Sequence, residues 1–146
     1  MADECKYVYA SQVTLEASGA SAASNAFAAA NDTSLAVANH LDYPLADFAL
    51  TCDFGAAVAA GVVVNLYRQD MDIDGTADAP APATTYKETY VGSFVIPSGQ
   101  SASATYPLQN VALSKICQFS IENGSAQNLS AGWVLKATPK TYGPVV

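Results

Sequence analysis

Between residues 45 and 54 the apolar side chains take every second place. Phe48, Leu50, Cys52 and Phe54 fall on one face, with Asp47, Thr51 and Asp53 on the other. A period of two is the pitch of a pleated strand with one buried face, and a helix with its period of 3.6 cannot carry it. The pattern recurs along the chain. Residues 6–15 set Tyr7, Tyr9, Val13 and Leu15 against smaller or polar neighbours, and residues 115–122 set Cys117, Phe119 and Ile121 against Ile116, Gln118, Ser120 and Glu122. The β-branched run 62–67 suits a central strand buried on both faces, and segments 34–38, 86–96, 101–106, 111–113 and 133–138 supply the remaining strand signals.

Punctuation separates these segments. Pro97-Ser98-Gly99 marks a turn, and Asn123-Gly124 is a tight-turn dipeptide. Residues 16–30, rich in Ala and Ser, carry a poor apolar stripe and contain Gly19. They read as a loop leading into a short strand near 26–30. Residues 70–85, with four aspartates, Gly75 and two prolines, read as a long acidic surface loop. About eight or nine short strands predict an all-β chain: one antiparallel β-sandwich, jelly-roll-like, over residues 1–146. Its expected core is Phe48, Leu50, Cys52, Val62, Val64, Phe94, Phe119, Ile121, Trp133 and Leu135. No repeat of 20–50 residues argues for a propeller or solenoid.

Charge narrows the functional classes. Six Lys plus Arg against thirteen Asp plus Glu leave a net charge of −7. The cations Lys6, Arg68, Lys87, Lys115, Lys136 and Lys140 are scattered, so the basic footprint of a nucleic-acid binder is missing. The longest apolar run, residues 56–64, is half the roughly 18 residues of a membrane span, so no membrane partner is expected. The acidic start lacks the apolar stretch of an export signal, and three cysteines without close spacing fit neither a disulfide framework nor a zinc site. Synthesis in a reducing cytoplasm is the expectation.

Catalytic signatures are sparse. His40 is the single histidine and has Asp42 nearby, but a lone loop histidine is far more often structural, and no Gly-x-Ser-x-Gly elbow or phosphate-binding glycine loop accompanies it. A glycosidase needs only two facing carboxylates, a requirement that thirteen acids meet without specificity. No enzyme is expected.

The sharpest local pattern is Asp70-Met71-Asp72-Ile73-Asp74-Gly75-Thr76-Ala77-Asp78. Alternating aspartates around a glycine bend can gather oxygens about Ca²⁺, which makes Asp70, Asp72, Asp74 and Asp78 the candidate metal ligands. Ala81 stands where a helix–loop–helix calcium loop needs its bidentate Glu, so an EF-hand is rejected. The plain alternative, an acidic loop kept soluble by its charges, is preferred, and no cofactor is expected. Eight tyrosines, Tyr7, Tyr9, Tyr86, Tyr90, Tyr106 and Tyr142 among them, suit contact surfaces and half-buried strands equally.

The stretch Leu66-Tyr67-Arg68-Gln69-Asp70, followed by Ile73-Asp74-Gly75-Thr76, Tyr86-Lys87 and Tyr90-Val91-Gly92-Ser93-Phe94, resembles the capsid cement, or decoration, proteins of short-tailed bacteriophages. The resemblance covers about the C-terminal half and lies in strands and turns rather than in a catalytic motif. It implies a jelly-roll-like virion protein on the capsid exterior that binds the major capsid protein and other copies of itself and stabilises the shell. It implies no requirement for acids at the aspartate positions. The alternative from another class is a carbohydrate-binding or host-attachment β-domain built on tyrosines.

Overall fold

The computed structural model describes residues 5–36, 42–71 and 80–144. Within them the chain forms nine strands: β1 (Cys5–Tyr9), β2 (Val13–Gly19), β3 (Phe27–Ala36), β4 (Leu45–Cys52), β5 (Val63–Met71), β6 (Tyr90–Val95), β7 (Ala104–Ala112), β8 (Ile116–Asn123) and β9 (Trp133–Pro144). One sheet runs β1-β9-β4-β7, with β2 beside β1 on the same edge of β9. The other runs β3-β8-β5-β6, and all pairings are antiparallel.

The pairings are nested about the β5–β6 connection. Strand β5 pairs with β6, β4 with β7, β3 with β8 and β2 with β9. That is one long hairpin rolled over itself, and the contacts β4·β9 and β5·β8 close each sheet. The chain is an all-β, jelly-roll β-sandwich.

The core lies where the alternating residues of the two sheets meet. Phe48, Leu50, Cys52, Trp133 and Leu135 from the first sheet face Val64, Phe94, Phe119 and Ile121 from the second, and Val62 closes one end. All ten residues expected in the core are buried. Phe48 and Phe119 meet edge to face across the sheets, ring centroids 4.7 Å apart. At the other end Arg68 and Asp70, on the core-facing side of β5, mark where the apolar interior stops. Arg68 donates to the Ala112 carbonyl at 2.7 Å and pairs with Asp70 at 2.7 Å.

Several local expectations are corrected. Segment 6–15 is two strands, and segment 16–30 is not mainly a loop, because β2 continues to Gly19. Register shifts bulge β2 and β3, and acids satisfy the backbone N–H groups of this region. Buried Glu16 accepts from Ser18 and Asn31, and Asp32 accepts from Ala17. Segments 101–106 and 111–113 are one strand, β7, in which Asn110 takes a positive φ of 62° and its N–H donates to Asp47. The run 62–67 is central, but one of its faces is only half-buried and carries Asn65. Residues 86–89 precede β6 rather than belong to it.

Asn123-Gly124 is not a hairpin turn either. The Asn123 side chain is fully buried and organises the following loop: its amide donates to the carbonyls of Ala22 (2.9 Å) and Gln127 (2.7 Å), and its oxygen accepts from the N–H and hydroxyl of Ser125. Leu129 then bridges to both Ala22 and Phe54, closing that end of the sandwich.

Candidate functional site

Both sheets turn one face away from the core, and on each face the topology gathers chemistry that is scattered in the sequence.

On the second sheet a row crosses all four strands. Phe27 of β3 is paired with Glu122 of β8, Glu122 with Asn65 of β5, and Asn65 with Ser93 of β6. Pleating sends all four side chains to the same side, opposite Phe119 and Ile121. Glu122 is only 3% exposed, and its charge is met from three directions. Lys87, reaching down from the segment before β6, forms an ion pair with Oε1. The Asn65 amide donates to Oε2 at 3.0 Å, and the Tyr67 hydroxyl donates to the same oxygen at 2.7 Å.

Burial pushes the Glu122 carboxyl up, but the hydrogen bonds from Lys87, Tyr67 and Asn65 outweigh it and hold the group below the usual carboxylate range. Burial and the bond to Glu122 push the Tyr67 phenol well up, which keeps it a donor. Aromatic rings wall the cluster: Phe27 and Tyr90 pack on Tyr67 at centroid distances of 5.2 and 5.8 Å, and the Lys87 ammonium lies 5.6 Å from the Phe27 ring centre. Ser93 completes it, donating to Asn65 Oδ1 at 2.6 Å while sharing a hydrogen bond with the Tyr90 hydroxyl at 2.8 Å.

The outward face of the first sheet is aromatic at its edge. Tyr7 of β1 is paired with Tyr142 of β9, and Tyr9 with Lys140. The Tyr7 and Tyr142 rings lie 4.6 Å apart and their hydroxyls share a 2.7 Å hydrogen bond, which raises the pKa of Tyr142. Tyr9 extends the group, 6.2 Å from Tyr7. All three are exposed, Tyr142 most of all at 59%. Beneath them Lys140 is buried, with its ammonium 4.4 Å from the Tyr7 ring centre and 2.6 Å from Asp47. The pair of charges pins the floor of the patch while the rings stay in solvent.

Of the candidate calcium ligands, Asp70 belongs to β5 rather than to the loop. Its Oδ1 accepts from Arg68 Nε and from the Ser114 hydroxyl at 2.7 Å, so the carboxylate holds the end of the sandwich together. Asp72, Asp74 and Asp78 lie outside the described residues, as does His40. Among the described residues no group of three or more His, Cys, Asp or Glu is arranged to hold a metal, and no helix is long and apolar enough to cross a membrane. The cysteines Cys52 and Cys117 are buried free thiols, and burial pushes both pKa values up, Cys52 to about 12.

Glu122 was not among the residues singled out from the sequence. In the alternation of β8 it occupies an outward place, which a charged residue fills by default, and only the register of four strands reveals that Lys87, Asn65 and Tyr67 converge on it. The fold and these faces define a jelly-roll β-sandwich with an exposed aromatic edge on one sheet and a buried polar cluster on the other. No known family, curated protein or solved structure matches the chain.

Proposed function

We propose that this chain is a capsid decoration protein: a jelly-roll module that binds the outer surface of a phage head, contacts the major capsid protein and stabilises the shell. The observation that carries the reading is the tyrosine edge. Tyr7, Tyr9 and Tyr142 are large, rigid and exposed, and they come from the first and last strands of the described chain, side by side on one sheet face. Exposed aromatic side chains on a rigid base are the residues that anchor protein interfaces, because they bury much area at low entropic cost. The resemblance of residues 66–70, 73–76, 86–87 and 90–94 to short-tailed phage cement proteins supports the same reading. A decoration protein of this kind adds binding free energy that only the assembled shell can accept, and modest contacts repeated over many copies suffice.

The same three rings favour a second reading, a glycan-binding attachment domain, since tilted tyrosines also stack on sugar rings. Binding of the purified protein to expanded heads that lack it, set against retention on a glycan array, separates the two. Replacement of Tyr7 and Tyr142 by Ala is expected to abolish head binding.

A further inference from the structure

The convergence of Lys87, Asn65 and Glu122 has a chemistry of its own, independent of the capsid reading. One buried carboxylate holds an amine on one oxygen and a carboxamide on the other. We propose that Lys87 and Asn65 form an intramolecular isopeptide bond, with Glu122 as the proton-transferring catalytic residue. The bond would join β5 to the segment just before β6.

The parts required for amide exchange are present. The nucleophile is the Lys87 amine, which becomes reactive when its ammonium passes a proton to Glu122. Glu122 is 3% exposed and the Lys87 side chain 45%, so the amine reaches the buried acid from a half-exposed position. The electrophile is Asn65 Cγ. Its carbonyl oxygen accepts the 2.6 Å hydrogen bond from Ser93, a bond aimed at the atom on which negative charge grows during attack. Ser93 is itself fixed by Tyr90, and Glu122 is fixed by Tyr67.

The step balances without an oxidant or cofactor. A bond forms between Lys87 Nζ and Asn65 Cγ, the Cγ–Nδ2 bond breaks, and Glu122 returns its proton to the departing nitrogen. A second proton leaves Nζ as the amide forms and is taken up by the released ammonia. An ammonium side chain and a carboxamide therefore become a secondary amide and an ammonium ion, and Glu122 ends as it began. The hydrogen bonds that hold Glu122 ionised make the neutral pair a minor state, so the reaction is slow. It has to occur only once in the life of each molecule, and holding both reactants on one carboxylate supplies the high effective concentration that a single turnover needs.

The test is the intact mass of the purified full-length protein, denatured and reduced, followed by peptide mapping. The expected mass lies below the sequence mass by one ammonia, about 17 Da, and the digest contains a branched peptide joining residue 65 to residue 87. Lys87→Arg, Asn65→Ala and Glu122→Gln are each expected to show their full sequence mass. Asn65→Asp is expected to lose water instead of ammonia. A wild-type protein that keeps its full sequence mass after prolonged incubation overturns the proposal, whatever the variants do. A deficit that persists in Lys87→Arg also overturns it, because Asn123-Gly124 can lose ammonia by succinimide formation without any cross-link.

Discussion

Gly19 lies beneath the indole of Trp133, its cross-strand partner, so closely that a Cβ at position 19 would stand 1.9 Å from Cε2. The fully buried ring is held in place by the bond from its N–H to the Ala20 carbonyl at 2.8 Å. Gly19→Ala is expected to cost about 2 kcal/mol or more, as other overpacked cores do. Urea unfolding followed by Trp133 fluorescence measures it, and an unchanged midpoint would show that the indole can move.

Asn123 carries a second packing constraint, polar rather than steric. Truncating it strands the N–H of Ser125 in the interior and removes one of the two donors to each of the Ala22 and Gln127 carbonyls, which keep the Leu129 N–H and the Ser125 hydroxyl. Asn123→Ala is expected to destabilise by about 1–3 kcal/mol, the cost of one orphaned buried group. Asn123→Asp is expected to do little better, because it keeps the acceptor and loses both donors. Thermal melts of the two variants beside the wild type check the order.

These two positions show what the sequence makes legible and what it hides. Alternation identified every expected core residue, because burial of one strand face is written in each strand separately. Residues 16–19 of β2 read as loop because bulges between Thr14 and Glu16 and between Glu16 and Gly19 break the period of two, and a buried Glu16 reads as a loop residue until Ser18 and Asn31 are seen to donate to it. Asn123-Gly124 carries the letters of a tight turn, but its amide is consumed by carbonyls about a hundred residues away. The cluster around Glu122 and the tyrosine edge are products of register between distant strands. Tyr7 and Tyr142 are 135 residues apart in the chain, and no local pattern pairs them.

Cys52 provides the pH dependence. Its thiol is raised from 9.0 to about 12 by burial, with Asp53 adding to the shift. Above about pH 9 the unfolded chain releases this proton while the folded chain keeps it. The corresponding stability is therefore complete below pH 9 and is lost as pH rises toward 12. The loss is at most about 1.4 kcal/mol per pH unit. In a Cys5→Ser background, urea midpoints at pH 8, 9 and 10 are expected to fall, and Cys52→Ala is expected to flatten the slope. The native thiols of Cys52 and Cys117 should resist a thiol reagent at pH 8 and react once urea unfolds the chain. Immediate reaction of the native protein would contradict their burial.

The two sheets communicate through Phe48 and Phe119. Phe48→Ala removes the ring from the centre of the core and is expected to cost about 3–5 kcal/mol, while Phe48→Leu should cost less than half of that. Calorimetry distinguishes them, and equal melting temperatures would show that the core collapses freely around the gap.

Head binding tests the functional account most directly. Purified protein mixed with expanded heads assembled without it, then sedimented, is expected to pellet with the heads at saturating stoichiometry and to raise their melting temperature. The Tyr7→Ala, Tyr142→Ala double variant, folded by its melt, is expected to stay in the supernatant. Wild-type protein that remains in the supernatant with such heads, and is retained on a glycan array through the same tyrosines, would contradict the decoration reading and establish the attachment domain in its place.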